Sequence, residues 1–268
     1  MLLIGLRAVR LLARRASQHF ALQNVAGAGI EPAFEDYEPS EMKPHLPPAV
    51  SYLIIFTIPI KSTIILTIRN MTRALIFDAD GVIIHREGYF SDRLSRDFGI
   101  PLEKILPFFK NEFQQCLLGK ADLKQEIQKY LPQWGWEKSL DELLEFWFSQ
   151  ESHLDERLVS DISNLRQKGI RCYLATVNEK HRVEYLSHRL GFKDLFDKIF
   201  ASSSVGFLKQ STDFWSVIFS QLNVEKNEVL VWDDEQIAVD AARGFGFPAE
   251  LYTDFELYKK KMDSLLTS

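Results

Sequence analysis

Beyond residue 71 the chain alternates short apolar runs with amphipathic stretches, and this rhythm constrains its fold more than any other feature. Ala74–Asp78, Ile170–Thr176, Lys198–Ser202, Val229–Asp233 and Ala249–Tyr252 are short, nearly continuous apolar runs. Strands read this way when helices cover both faces of a parallel sheet. Between them, Leu154, Leu158, Ile162 and Leu165 recur at helical spacing behind a capping Asp155 and stop before Gly169. Val183, Leu186 and Leu190 mark another helix ending at Gly191. The expected fold class is α/β, a doubly wound parallel sheet.

One interval breaks the rhythm. The first strand ends at Asp78 and the second begins at Ile170, whereas an ordinary crossover needs one helix and a few loop residues. Helical patterns over Tyr89–Phe98, Leu102–Leu117, Ala121–Leu131 and Leu140–Gln150 fill the gap, the last opened by a capping box from Ser139 to Glu142. The expected organisation is an α/β core of residues 71–87 and 153–268 with a small helical cap, 88–152, inserted after the first strand.

Residues 1–70 have a different composition. Arg7, Arg10, Arg14 and Arg15 precede the first acid, Glu31, and five prolines lie between Pro32 and Pro48. Residues 49–68 are apolar and long enough to cross a bilayer as a helix. Pro59 and Lys61 stand in their middle, and a lysine at the bilayer centre costs about 2.5–3.5 kcal/mol on insertion scales, which argues against a span. The segment reads as an unstructured or spurious extension, with Met71 as the working start.

Thirty-two Lys and Arg against 37 Asp and Glu leave a net charge of −5, so the surplus positive charge that nucleic-acid binding needs is missing. Cys116 and Cys172 are too few for a disulfide framework or a four-sulfur zinc site and read as small buried residues in a reducing, cytoplasmic setting.

The chemistry lies where strands end. Asp78-Ala79-Asp80-Gly81 follows the first strand directly, at the carboxyl edge where open α/β sheets bind ligands. Alternation turns residues 78 and 80 the same way, and Gly81 permits the chain to fold back. Carboxylate oxygens suit a hard cation such as Mg²⁺. Thr176 ends the second strand, Lys209 follows the third, and Asp233-Asp234 ends the fourth. Each has a plainer use, as a strand terminus, a surface charge or a helix cap. Together they supply what phosphoryl transfer to a carboxylate requires: a nucleophile, metal ligands, a hydroxyl donor and a fixed positive charge.

FDADGV, LAT, Lys209 and VWDDEQIAVDAAR resemble, in order and spacing, the four motifs of the haloacid dehalogenase-like hydrolase superfamily, over residues 71–268. The helical insert looks like that family's cap, in the branch of sugar-phosphate phosphatases, β-phosphoglucomutase and haloacid dehalogenases. The resemblance implies Asp78 as nucleophile and metal ligand, Asp80 as general acid/base whose backbone carbonyl reaches the metal, Thr176 and Lys209 as phosphate binders, and Asp234 as metal ligand. Asp233 would support the metal from behind. The family's dehalogenases lack an acid at the place of Asp80, so its presence speaks for a phosphate ester, whose alkoxide needs a proton.

Three positions depart from the family pattern: Val177 stands where Asn is usual, with Asn178 one place later; Gln210 replaces a Pro; Ala238 occupies the place of a second acid or Asn. The expected activity is a Mg²⁺-dependent phosphatase of small phosphorylated metabolites, sugar phosphates foremost, with no nucleic-acid or membrane partner. A phosphomutase of the same family and a weakly active phosphometabolite-binding regulator are the alternatives. A receiver module would combine similar groups, but its paired acids and acceptor come in another order and no helical insert is expected. In the cap, Trp134-Gly135-Trp136 lies in a turn, where one indole is placed to stack on a sugar, and His85 and Arg86 leave the first motif as hinge or substrate contacts.

Overall fold

The computed structural model describes residues 72–85 and 88–267. The expectations for residues 1–70 and for Arg86 fall outside that range.

Five parallel strands form the sheet: β1 (Ala74–Phe77), β2 (Arg171–Thr176), β3 (Lys198–Ala201), β4 (Val229–Asp233) and β5 (Ala249–Leu251), in the order β3-β2-β1-β4-β5. β1 is central, with β2 on one side and β4 on the other, so the strand order reverses at its carboxyl end. That is where such sheets open a crevice for ligands. Phe77 lies in register with Leu174 and Trp232, which brings the residues after all three strands to one rim.

Strand alternation divides the core. Leu75 and Phe77 of β1 pack with α7 (Glu156–Gln167), α8 (Lys180–His188), the short α9 (Phe192–Leu195) and α13 (Phe255–Thr267) through Leu158, Ile162, Leu186, Phe192, Tyr258 and Met262. Ala74 and Ile76 face α11 (Thr212–Phe219) and α12 (Gln236–Phe245) through Phe214, Trp215, Ile218, Val239 and Ala242. A single turn, α10 (Ser202–Val205), follows β3 directly. All four side chains of β1 are fully buried, each of the large ones contributing about 1.5–3 kcal/mol by leaving water.

Between β1 and α7 lies a wholly helical insertion, the cap: α1 (Phe90–Phe98), α2 (Leu102–Lys110), α3 (Glu112–Leu117), α4 (Leu123–Gln128), α5 (Leu131–Trp134) and α6 (Leu140–Gln150). It has its own apolar cluster, which includes Phe90, Leu94, Phe108, Ile127, Trp134, Leu143 and Trp147, with Phe90 stacked on Trp147 at 4.4 Å. The expected capping box at α6 is present in both directions, Glu142 N–H donating to Ser139 Oγ and Ser139 N–H to Glu142 Oε2.

Two expected helices are broken. Leu102–Leu117 is interrupted at Asn111, whose φ of −113° and ψ of −88° lie outside the helical region. In place of one helix over Ala121–Leu131 stand α4, started by Asp122 accepting from Gln125 N–H, and the separate turn α5. The Trp-Gly-Trp expectation is also corrected. Trp134 is buried and donates to the Lys104 carbonyl at 2.8 Å, while Trp136 donates to the Ser139 carbonyl at 3.0 Å and packs edge-on against Phe98. Both indoles are committed to holding cap helices together.

The cap meets the core at several points. Chain entry and exit pair through an Ile84–Leu154 bridge and a bond from His85 N–H to the His153 carbonyl. Gly119, at φ +70°, lies so close to the core that a Cβ there would stand 2.0 Å from the Ser203 carbonyl oxygen. His181 Nε2 of α8 sits 2.9 Å from Asp122 Oδ2. His85 itself is exposed, 3.9 Å from Asp155.

Candidate active site

Asp78 follows β1 and is nearly buried; its N–H donates to the Trp232 carbonyl of β4, fixing it beside Asp233. Lys209, 3% exposed, is no surface lysine: its Nζ lies 2.8 Å from Asp78 Oδ2 and 2.6 Å from Asp233 Oδ2. The backbone of Lys209 is anchored because its carbonyl accepts a 2.8 Å bond from Trp215 Nε1, in the core of α11. Asp233 also accepts from Glu235 N–H through its other oxygen.

Asp234 completes the group. One oxygen from each of Asp78, Asp233 and Asp234 falls within 4.8 Å of the others. Asp234 reaches this position because Gly81 has no side chain: a Cβ there would stand 2.1 Å from Asp234 Oδ2, and Gly81 turns at φ +90°. Burial, together with the charges of Asp233 and Asp234, pushes the Asp78 carboxyl well above the ordinary carboxylate range, against the pull of Lys209. Burial alone would lower the Lys209 ammonium, but Asp233 and Asp78 outweigh it and hold its pKa above the ordinary value. Three carboxylates facing one ammonium leave surplus negative charge in a confined space, which a divalent cation bound by hard oxygens would neutralise. The donor set therefore fits Mg²⁺.

Asp80 and Thr176 form a second group beside the first. Thr176 is fully buried, and its Oγ1 accepts from Asn178 Nδ2 at 2.6 Å, which leaves the hydroxyl proton to be donated elsewhere. Asn178 Nδ2 also donates to Asp80 Oδ2 at 2.9 Å. The Asn displaced by one place in sequence thus brings its amide to both the threonine and the acid. Asp80 Oδ1 faces Arg182 Nη2 at 3.6 Å. Gln210 is exposed, whereas Ala238 is packed in the first turn and a half of α12.

The model of the haloacid dehalogenase-like hydrolase family matches residues 72–246, more than half of the chain. The chain belongs to the haloacid dehalogenase-like hydrolases. Among curated proteins it is 22% identical over 181 residues to a phosphorylated carbohydrates phosphatase of Thermotoga maritima, covering 65% of this chain and 81% of that one. Among solved structures it resembles a haloacid dehalogenase family enzyme of Bacteroides thetaiotaomicron at a TM-score of 0.63 and 16% identity, over 72% of this chain and 98% of that one. The same bacterial enzyme in complex with magnesium and inorganic phosphate matches at a TM-score of 0.60 and 17% identity, over 69% and 98%. These structural likenesses concern the fold.

In this haloacid dehalogenase-like hydrolase, the carboxylates of Asp78 and Asp80, a hydroxyl, an ammonium and a triad of acidic oxygens stand at one rim. Asp78, Lys209 and Asp234 are in one contact group, Asp80 and Thr176 in the other. Arg182 and Trp215 were not singled out by sequence. Asn178 was legible as a near-miss of the family pattern; Arg182 and Trp215 sit among helical residues whose neighbours across the fold no local pattern reveals. Among the described residues no helix is long and apolar enough to cross a membrane.

Proposed function

We propose that the chain, a phosphatase-type hydrolase of this family, removes phosphate from small phosphorylated metabolites, sugar phosphates foremost, in the cytoplasm and with Mg²⁺. The observation that carries this reading is the buried Asp78 carboxylate, held 2.8 Å from Lys209 inside a triad of acidic oxygens. Asp78, Asp234 and the backbone carbonyl of Asp80 would hold Mg²⁺, with Asp233 behind them. Bound there, the cation would offset the surplus negative charge and spread that of the phosphoryl oxygens.

Lys209 Nζ and the Thr176 hydroxyl bind the phosphoryl oxygens. An Asp78 oxygen attacks phosphorus, the bond to the bridging ester oxygen breaks, and Asp80 gives that oxygen its proton, so an alcohol leaves and an aspartyl-phosphate remains. Asp80, now a carboxylate, takes a proton from water as the water attacks phosphorus. Inorganic phosphate leaves, and Asp78 and Asp80 return to their starting states. The Thermotoga relative's name, phosphorylated carbohydrates phosphatase, supports the substrate class.

The test is phosphate release by the full chain from a panel of sugar phosphates, with Mg²⁺ and with EDTA. Release that needs Mg²⁺, together with a hydroxylamine-labile phosphoryl group seen by intact mass after rapid quenching, is the expected result. Turnover insensitive to EDTA, or a protein never phosphorylated during turnover, would show the mechanism to be wrong.

A further inference from the structure

Arg182 is buried, 3% exposed, in the first turn of α8, its N–H bonded to the Glu179 carboxylate that caps the helix. Its guanidinium reaches in two directions. Toward the cap, Nη1 donates at 3.0 Å to the Phe148 carbonyl, which also accepts from Glu151 N–H, and Nη2 donates to the Glu151 carbonyl, both at the carboxyl end of α6, where the helix dipole is negative. The guanidinium also lies over the rings of Phe148 and Tyr185, at 5.5 and 5.6 Å. Toward the core, Nη2 faces Asp80 Oδ1 at 3.6 Å.

A buried guanidinium costs several kcal/mol unless it is well paired, and a packed apolar residue of similar volume often holds helices together as well or better. What an apolar residue cannot do is face Asp80. Glu151 does not need Arg182 as its partner, because its side chain is bonded by Arg93 at 2.8 Å and Trp147 Nε1 at 3.1 Å. Asp80 then accepts from Asn178 through one oxygen, while its other oxygen faces, across 3.6 Å, the charge of an arginine bonded to the cap.

We propose that Arg182 is a positioning residue: by tying the last turn of the cap to the Asp80 carboxylate, it makes the aim of the general acid depend on the cap being packed against the core. This rests on the role given to Asp80 above. The consequence is kinetic and selective. An acid out of line by about 1 Å can cost about 10²-fold, and that loss falls on esters whose leaving group needs a proton.

The test compares kcat/KM of the full chain on phenyl phosphate and on 4-nitrophenyl phosphate, whose leaving group departs without help. Asp80→Asn should lose far more on phenyl phosphate. Arg182→Met should follow in the same direction, about 10- to 100-fold on phenyl phosphate and much less on the nitrophenyl ester, with KM nearly unchanged; Arg182→Lys, which keeps a charge near Asp80, should recover part of the loss. Equal losses on both esters, or none, in the Arg182 variants while Asp80→Asn is selective would overturn the proposal and leave the reading of Asp80 standing. An unselective Asp80→Asn would overturn both. Circular dichroism and thermal melting check folding, and should Arg182→Met fail to fold, Arg182→Lys decides on the same two criteria.

Discussion

The sheet rim and the cap both bury charge, and they do so in opposite ways. In the cap, Arg93 is paired with Glu151 at 2.8 Å, Lys104's carbonyl satisfies Trp134, and Tyr130 donates to Glu112. The Arg93 and Glu151 charges neutralise each other and the Trp134 and Tyr130 donors are hydrogen-bonded, as structural groups must be when they leave water. At the rim, one ammonium faces Asp78 and Asp233, and Asp234 adds a third carboxylate. Burial, with the charges of Asp233 and Asp234 added to it, raises the Asp78 pKa, and folding alone gives no reason to keep that imbalance. A surplus of like charge that the fold maintains at strand termini suits a divalent cation, whereas a neutralised pair marks a joint.

The largest effects should break the rim. Asp78→Asn should abolish turnover of every ester, since an amide is a poor nucleophile and forms no phosphoenzyme; any residual rate above background in a phosphate-release assay would remove Asp78 from that role. Lys209→Met should be nearly as severe for activity. It should also lower stability by about 3–5 kcal/mol, because carboxylates lose the charge they are buried against. Denaturant titration should show that loss, and Mg²⁺ should restore more stability to the variant than to wild type if Asp78 and Asp234 are the cation's carboxylate ligands.

Next in size is the division of labour within Asp233-Asp234. Asp234 sits against Gly81 while Asp233 is engaged by Lys209 and the Glu235 N–H. Asp234→Ala should therefore raise the Mg²⁺ concentration needed for half-maximal activity far more than Asp233→Ala, which should instead act through a misplaced Lys209. Equal shifts in Mg²⁺ titrations would mean that both are ligands.

The cap should answer differently. Trp134→Phe removes one buried hydrogen bond and should cost about 1–2 kcal/mol in denaturant unfolding, with kcat and KM on sugar phosphates unchanged. A rise in KM without loss of stability would return that indole to the substrate.

This contrast explains what the sequence could and could not disclose. β1, β2 and β4 were legible because a buried parallel strand is a local pattern, and Asp78, Thr176 and Asp233 were legible because they stand where such strands end. The β5 boundary and the breaks at Asn111 and around Lys129 depend on tertiary competition and were not. Cys116 and Cys172 read correctly as buried residues, and burial pushes both thiols up to about 12. Arg182 was invisible: on a helix carrying Lys180, His181, Glu184 and Arg189, one more charge looks solvated, and its contacts with Phe148, Glu151 and Asp80 span separations that no periodicity encodes.

The smallest effect belongs to the joint between the two regions. Asp155 caps α7 where the chain returns from the cap, its own N–H bonded to the Ile83 carbonyl at 2.8 Å. Arg157, bonded to both carboxylate oxygens, holds the Asp155 carboxyl below the ordinary carboxylate range, with burial opposing. Because the folded value lies below the unfolded one, the stabilisation is fully present above the ordinary carboxylate pKa of about 3.9 and is lost as pH falls through the folded value. Asp155→Ala should cost about 0.5–2 kcal/mol at pH 7, the worth of an N-cap, and the gap to wild type should narrow in urea titrations carried below pH 4. A gap that stays constant with pH would mean that Asp155 acts through shape and backbone alone, and that the charge of Arg157 contributes nothing to fastening the segment that returns from the cap to the core.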